Sequence, residues 1–578
     1  MAPALKKYNW ILAITSIAFI LSSASNGAND VANSYATSVA ARTLKMWQAG
    51  ILASMTEFLG AVALGSRVTG TIKSGIFSLD TFKPAPATLM LAMGCAEVGS
   101  ATFLTIATIA GMPVSTTQTV VGALAGAGIA AQSPLSWGWK KGSISQIAAS
   151  WVIAPFISAG FAAILFLTVK FSVLQRKDPL KWGLRLIPFY LAFTAGILAL
   201  FIIDELPNGE SLEEMGAGKA VGIVLGVFFG MLAISYIFFI PYFTRRLVRG
   251  DTRMRAWHIP LGPLLYRENP PIYFPGKGEE IVTDYYAKAS SENSSQEDLK
   301  AEKGVGHSAD TDHNATGDNE GHTTGADLER GGQGLSVPLK RDGAVAHIIK
   351  AQPEPEDRWL KPVAHLPIYA PKKIMNWMKF LLLQGVSRDV VTQKNLGKIH
   401  ARAIVYDNKV EHLWTYAQVA SAMMMSIAHG SNDVANAVGP WVATYNTYTT
   451  GVVTKEADTP IWILVVAGLL LGAGFWCYGY HIVRALGNKL TQVSPTRGFS
   501  MELGAAITVL LASRLGLPVS TTQCLTGATI GVALMNFDIK AVNWKQVGFI
   551  FSGWIITLPG AGLISGILMV LALNTPHF

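Results

Sequence analysis

The sequence predicts an all-α polytopic membrane protein of about 12 transmembrane helices. They form two inverted-topology repeats with broken helices, separated by a disordered central loop. Three observations predict it. Only 14% of the 578 residues are charged and 50% are hydrophobic, whereas soluble domains carry about 25% charged residues. Apolar stretches of about 20 residues, each long enough to cross a bilayer, recur along the chain. Two short motifs also return late in the chain in the same order, the signature of an internal repeat.

The elements follow in order. Lys6 and Lys7 precede an apolar run that superficially resembles a signal peptide. That run leads straight into NGANDVAN (26–33), so it reads as a retained first span. Apolar segments fall at about 8–41 (interrupted), 46–66, 86–110, 113–132, 144–173, 183–204 and 219–243. They resume at about 413–441 (interrupted), 460–485, 499–516, 518–535 and 547–573. Lipid offers backbone groups no partners, so these segments are read as helices. The chain thus divides into a first transmembrane repeat (1–173), additional helices (174–243), a central loop (244–412) and a second, inverted repeat (413–578). Between about 289 and 345 the loop is rich in Ser, Gly, Asp, Glu and His and almost devoid of large apolar residues. Such a stretch cannot bury enough surface to offset its ordering entropy and is expected to be disordered.

Charge sets the expected orientation. Arg245, Arg246, Arg249, Arg253 and Arg255 follow one span, and Arg176, Lys177, Lys181 and Arg185 fill another loop. The loop between them carries Glu205, Glu210, Glu213 and Glu214. Basic loops belong in the cytoplasm, which places the central loop inside and both termini outside. Lys6, Lys7, Lys140 and Lys141 run against this assignment. Asn293 and Asn314 begin glycosylation sequons that a cytoplasmic loop would never expose to the glycosylation machinery. The net charge of +9 is attributed to such loops and not to nucleic acid binding. Cys95, Cys477 and Cys524 lie in apolar segments without CxxC spacing, as small core residues would.

NGANDVAN at 26–33 matches HGSNDVAN at 429–436, with Asp30 answering Asp433. GMPVSTTQ at 111–118 matches GLPVSTTQ at 516–523. Glu97 and Glu502 each stand 14 residues before the glycine of that second motif, and Trp151 and Pro155 answer Trp554 and Pro559. Seven spans separate the starts of the copies, and an odd number turns the second upside down. Inverted repeats are an architecture of secondary transporters, with the cargo held between them near the midplane.

The motifs make chemical sense as halves of one site. The proline of PVSTT suits the first turn of a helix. Ser115, Thr116 and Thr117, like Ser520, Thr521 and Thr522, add hydroxyls to the free backbone donors of a helix start, an anion site suited to a tetrahedral oxyanion. Asp30 and Asn33 share a helix face, as do Asp433 and Asn436. With Asn29 and Asn432 they offer hard oxygen ligands for a small cation. A carboxylate at mid-membrane costs at least about 2.5–3.5 kcal/mol, and adjoining cation and anion sites cancel each other's burial cost. For a single Asn/Asp pair, a helix-packing network would explain the residues equally well; repetition argues for the site. Glu97 and Glu502 alternatively cap or bridge helices as protonated acids. Glu57 has no acidic counterpart. Arg67, echoed by Lys489, reads as an interfacial anchor, and His429 in place of Asn26 as a hydrogen-bonding helix residue. An intramembrane enzyme is disfavoured: there is no HExxH, no GxSxG and no histidine near either STT to act as base.

At GANDVANSYATSVAARTL, GMPVSTTQTVVGA, HGSNDVANAVGP, SPTRGFSMELGAAI and GLPVSTTQCLTGA the sequence resembles the inorganic phosphate transporter family, in particular its fungal plasma-membrane sodium/phosphate symporters. The resemblance covers about 1–243 and 413–578. It implies a non-enzymatic 12-span transporter at the plasma membrane that imports phosphate with sodium, using no cofactor beyond the coupling ions. Its implied partners are phosphate, sodium and the bilayer, with a second copy of the chain as a further candidate. Asn29, Asp30, Asn33, Asn432, Asp433 and Asn436 match the family's signatures, and both STT triplets match its helix-start motifs. Glu57, Glu97 and Glu502 fall where relatives can carry transport-linked glutamates, and Gln118 and Gln523 close the helix-start motifs. Many relatives have histidine where this chain has Gln118. An amide cannot titrate near neutral pH as histidine does, which favours sodium over protons. Proton-coupled transport, or transport of another tetrahedral oxyanion, is the alternative, and a phosphate sensor a remote one.

Overall fold

The computed structural model describes residues 4–65, 76–139, 142–205, 215–276, 281–287, 289–290, 349–350, 352–392, 397–400, 402–454, 459–515, 517 and 519–575. Almost all of the stretch expected to be disordered, with Asn293 and Asn314, lies outside these residues. So do Arg67, Lys140, Lys141, Glu210, Glu213 and Glu214, and Gly516 and Pro518 of the second helix-start motif. Among the described residues the structure is helical apart from a two-residue parallel strand pair, Ala289–Ser290 with Ile349–Lys350, and one bridge between Phe77 and Leu135.

The first half contains α1 (Asn9–Asn26), α2 (Ala32–Ala40), α3 (Met46–Leu64), α4 (Pro86–Ile109), α5 (Thr116–Ala130), α6 (Ile144–Val169), α7 (Pro179–Glu205) and α8 (Ala217–Ile234). The rest comprises α9 (Pro371–Ser387), α10 (Thr415–Thr450), α11 (Ile461–Tyr478), α12 (Tyr480–Leu486), α13 (Pro495–Arg514), α14 (Thr521–Leu534) and α15 (Trp544–Asn574). Among the described residues, eight helical stretches are long and apolar enough to cross a membrane. The other four predicted segments are α10 and α13, whose motif residues dilute their apolar character, and α5 and α14, which are too short.

The interruptions read at 26–33 and 429–436 are chemical more than geometric. Gly27–Val31 forms one widened π turn that joins α1 to α2, and α10 runs unbroken for 36 residues through its copy of the motif. The real breaks lie elsewhere. α5 has 15 residues and α14 has 14. At 1.5 Å per residue each spans only about 20 Å, short of the roughly 30 Å hydrocarbon core. Thus α4–α5 and α13–α14 are hairpins that turn inside the molecule. In the first, Gly111 takes a φ of +67° that a side chain would resist, and Ser115 then caps α5 by accepting from the Gln118 N–H.

The hairpins enter from opposite faces. α10 starts beside the central segment, where Tyr286 and Thr496 both bond Glu411. It ends beside the N-terminal residues, with the Ala4 N–H donating to Thr449 O. α15 starts where the Asn543 N–H donates to Leu490 O, near the His400–Asn488 contact. Residues 4 and 575 therefore share one face and the described central segment occupies the other. α4 begins near Asn446 and Thr447 on the terminal face, whereas α13 begins beside Glu411 on the central-segment face.

Each hairpin locks onto the last helix of the other repeat. A Cβ on Gly122 or Gly126 of α5 would strike the carbonyls of Leu558 and Gly562 in α15, and one on Gly527 or Gly531 of α14 would strike those of Pro155 and Ala159 in α6. Small residues four apart let the backbones touch. Trp151 and Trp554 hold equivalent positions in this register, but the residue equivalent to Pro155 is Leu558, which meets Gly122 as Pro155 meets Gly527, and not the expected Pro559.

On the central-segment face Asp251 joins Arg245 (3.0 Å) and Arg253 (2.9 Å). The Arg253 hydrogen bond, ahead of that from Arg245, holds the Asp251 carboxyl down at about 2, so this anchor stays ionised.

Candidate transport site

Both NDVAN motifs and both helix starts meet at one buried cluster. Asp30 accepts from the Thr116 hydroxyl (2.6 Å), the Thr116 N–H (3.3 Å) and the Thr522 hydroxyl (2.8 Å). Asp433 accepts from the hydroxyls of Thr521 (3.1 Å) and Thr117 (3.3 Å). Each carboxylate is therefore held by the first helical residue of its own repeat's hairpin and the second of the other's. Asn33 donates to Thr522 (2.7 Å) and Asp30 (3.4 Å); Asn436 donates to Thr117 (3.1 Å), Thr116 (3.0 Å) and Asp433 (2.6 Å). The arrangement is two-fold symmetric in all but detail.

Because a carboxylate only accepts, each asparagine must turn its nitrogen toward it. The Oδ1 atoms of Asn33 and Asn436 are left buried and unbonded, as are the Oε1 atoms of Gln118 and Gln523. Buried acceptors without donors are rare. Here they come in symmetric pairs, and the asparagine pair sits beside the two carboxylates, which is ligand chemistry suited to a hard cation.

The remaining predicted residues divide by role. Ser115 and Ser520 are N-caps, accepting from the Gln118 and Gln523 N–H groups. Asn29 is spent on the first hairpin: it donates to Thr108 (3.0 Å) and Met112 O (3.2 Å) and accepts from the Val114 N–H (3.1 Å). Asn432 is buried with its amide nitrogen unbonded. Glu502 accepts from Thr37, and from Ser38 and Ser421 at 2.7 Å each. Glu97 has no hydrogen bond of good geometry, with Ser22 the hydroxyl beside it. The asymmetry follows from the repeat, because Pro440 and Trp441 occupy the positions equivalent to Thr37 and Ser38.

Sequence reasoning missed the link between Glu57 and the cluster. Glu57 accepts from Ser426 (2.6 Å) and meets His429 Nδ1 at 2.7 Å; His429 Nε2 lies 3.2 Å from Asp433 Oδ2. That second contact has ion-pair distance without aligned hydrogen-bond geometry. Glu57 thus joins through a histidine that is absent from the first copy, so repetition could not reveal it. Ligand atoms of Asp30, His429 and Asp433 all lie within 4.8 Å of one another. Three acidic side chains share this buried space with one imidazole, so acids outnumber bases in the cluster.

Two opposed membrane hairpins whose tips close on a buried polar cluster are an architecture that transporters use. The model of the phosphate transporter family matches residues 26–565. The chain is 38% identical to the phosphate-repressible phosphate permease pho-4 of Neurospora crassa, covering 99% of each chain. It is 28% identical to the sodium-dependent phosphate transporter 1-B of Danio rerio, over 93% of this chain and 91% of that one. A solved structure titled the sodium-dependent phosphate transporter shares the fold, with a TM-score of 0.62 at 23% identity over 98% of this chain and 100% of that one. The chain belongs to the phosphate transporter family, whose members are transporters and not enzymes.

Proposed function

We propose that the protein imports inorganic phosphate together with sodium by alternating access of the two hairpins, in the plasma membrane, with the central segment cytoplasmic. The carrying observation is the charge of the cluster. Asp30, Asp433 and Glu57 outnumber His429 in a buried space, and an uncompensated buried charge costs several kcal/mol. Phosphate would add more negative charge, so cations must accompany it. Sodium bound by Asp30, Asp433 and the unbonded amide oxygens supplies the compensation. A threonine oxygen that ligates sodium can turn its proton from the carboxylate toward phosphate, so Thr116, Thr117, Thr521 and Thr522 serve both ions. The backbone N–H groups of the two helix starts complete the anion site. Ser115 and Ser520 hold those starts in shape, and Glu97, Glu502, Gln118 and Gln523 line the elements that move.

The buried Glu57–His429–Asp433 chain favours a second reading, in which a proton on His429 supplies part of the coupling. Phosphate uptake into proteoliposomes with independently imposed sodium and proton gradients tests both. Sodium coupling predicts uptake driven by the sodium gradient at equal pH. Uptake driven by the proton gradient alone, and abolished in His429→Gln, would establish the second reading instead. Sulfate or arsenate outcompeting phosphate would reassign the cargo.

A further inference from the structure

The central segment carries one helix that its neighbours do not explain. In α9, Ile374, Trp377, Met378 and Leu381 recur at three- and four-residue spacing and form one stripe, widened by Met375 and Leu382. All six are exposed, Met378 at 54% and Leu382 at 63%. Asn376 lies on the opposite side, while Lys372 and Lys379 edge the stripe, three residues before and four after Met375. An apolar stripe this continuous on an exposed helix edged by lysines is not left to water.

The helix is also held at a defined height. The Trp476 indole N–H donates to Leu382 O at 2.7 Å. Gly385 packs directly on the carbonyls of Trp476 and Cys477, where a side chain would collide. Those residues are the last turn of α11, a span that ends at Tyr478. The C-terminus of α9 is therefore pinned where α11 leaves the membrane. Lys373 Nζ donates to Leu366 O (2.6 Å) at the other end. Just beyond α9, Arg388 pairs with Glu354 (3.0 Å) and Glu356, and Arg484 with Glu354 (2.7 Å). The stripe continues an existing lipid-facing surface: Gly50 of α3 abuts Trp476 and Val386, and Trp47 and Ile51 beside it are exposed.

We propose that α9 is an interfacial membrane anchor. It lies in the plane of the leaflet on the central-segment face, its stripe among the acyl chains and Lys372 and Lys379 against anionic headgroups. The central segment is then tethered to the bilayer before the chain re-enters it at α10. This rests on α11 being a span and not on the identity of the cargo or the coupling ion.

The test uses the full-length protein in nanodiscs containing anionic lipid, with Cys477→Ala removing the only partly exposed cysteine. Spin labels are placed at Met378→Cys on the stripe and Lys372→Cys on its lysine edge. Collision with oxygen, which concentrates in lipid, is compared with collision with a water-soluble nickel chelate. The proposal expects oxygen to exceed nickel severalfold at 378, and the ratio to invert at 372. Equal access of nickel to both labels would place the helix in water and overturn it. Shielding of 378 from both reagents would also overturn it, because a protein partner or a second copy would then cover the stripe. Phosphate uptake by each labelled protein verifies that the fold is intact.

Discussion

Thr116 and Thr521 each bond the aspartate of their own repeat, Asp30 and Asp433, in equivalent geometry. If both serve one phosphate, their loss must be felt alike. Replacing either with valine keeps the shape and removes one donor. A lost hydrogen bond to a charged group costs about 1.5–3 kcal/mol, so the phosphate half-saturation at saturating sodium should rise roughly tenfold to a hundredfold in both variants. Uptake kinetics decide it: a rise in one variant alone contradicts a shared site. A collapse of sodium affinity without change for phosphate would make these hydroxyls cation ligands only. Asp30, Asp433 and the threonines were legible in the sequence because they repeat. The work of Ser115, Ser520 and Asn29 was less so, since capping and bracing use the same polar groups as ligation. The Glu57–His429 contact joins residues far apart in the chain and absent from the repeat, so no local pattern announces it.

The hairpin helices depend on backbone contact across the repeats. Gly126 and Gly531 sit against Gly562 and Ala159 with no room for a side chain. Leucine at either position forces α5 from α15, or α14 from α6. Such overpacking costs about 1–3 kcal/mol, so each variant should lower the thermal midpoint in detergent and reduce uptake. Leucine at Gly218 or Gly222 of α8, which face open space, should do neither. Hydropathy placed these helices within a few residues but read α5 and α14 as full spans, because a half-crossing helix is as apolar as a whole one. α9 escaped notice because its stripe is short and lies in a segment whose average composition is polar.

At the scale of the molecule, the odd number of spans between the motifs indicated inversion, and opposed hairpins are what the fold displays. Which face is cytoplasmic rests on the basic loops, so the sequons test it. With the central segment inside, Asn293 and Asn314 stay unmodified in cells and removing about 289–345 spares uptake; a glycan on either residue reverses the orientation. The buried cluster is expected to accept phosphate only when cations balance its carboxylates. Coupled binding is reciprocal, so each ligand must strengthen the other by the same factor. Calorimetric titration of phosphate into the purified protein, in sodium and in choline at equal ionic strength and pH, measures this directly. Binding is expected in sodium, with at least tenfold weaker binding in choline and loss of the sodium effect in Asp30→Asn and Asp433→Asn. Equal phosphate affinity in the two salts would contradict it.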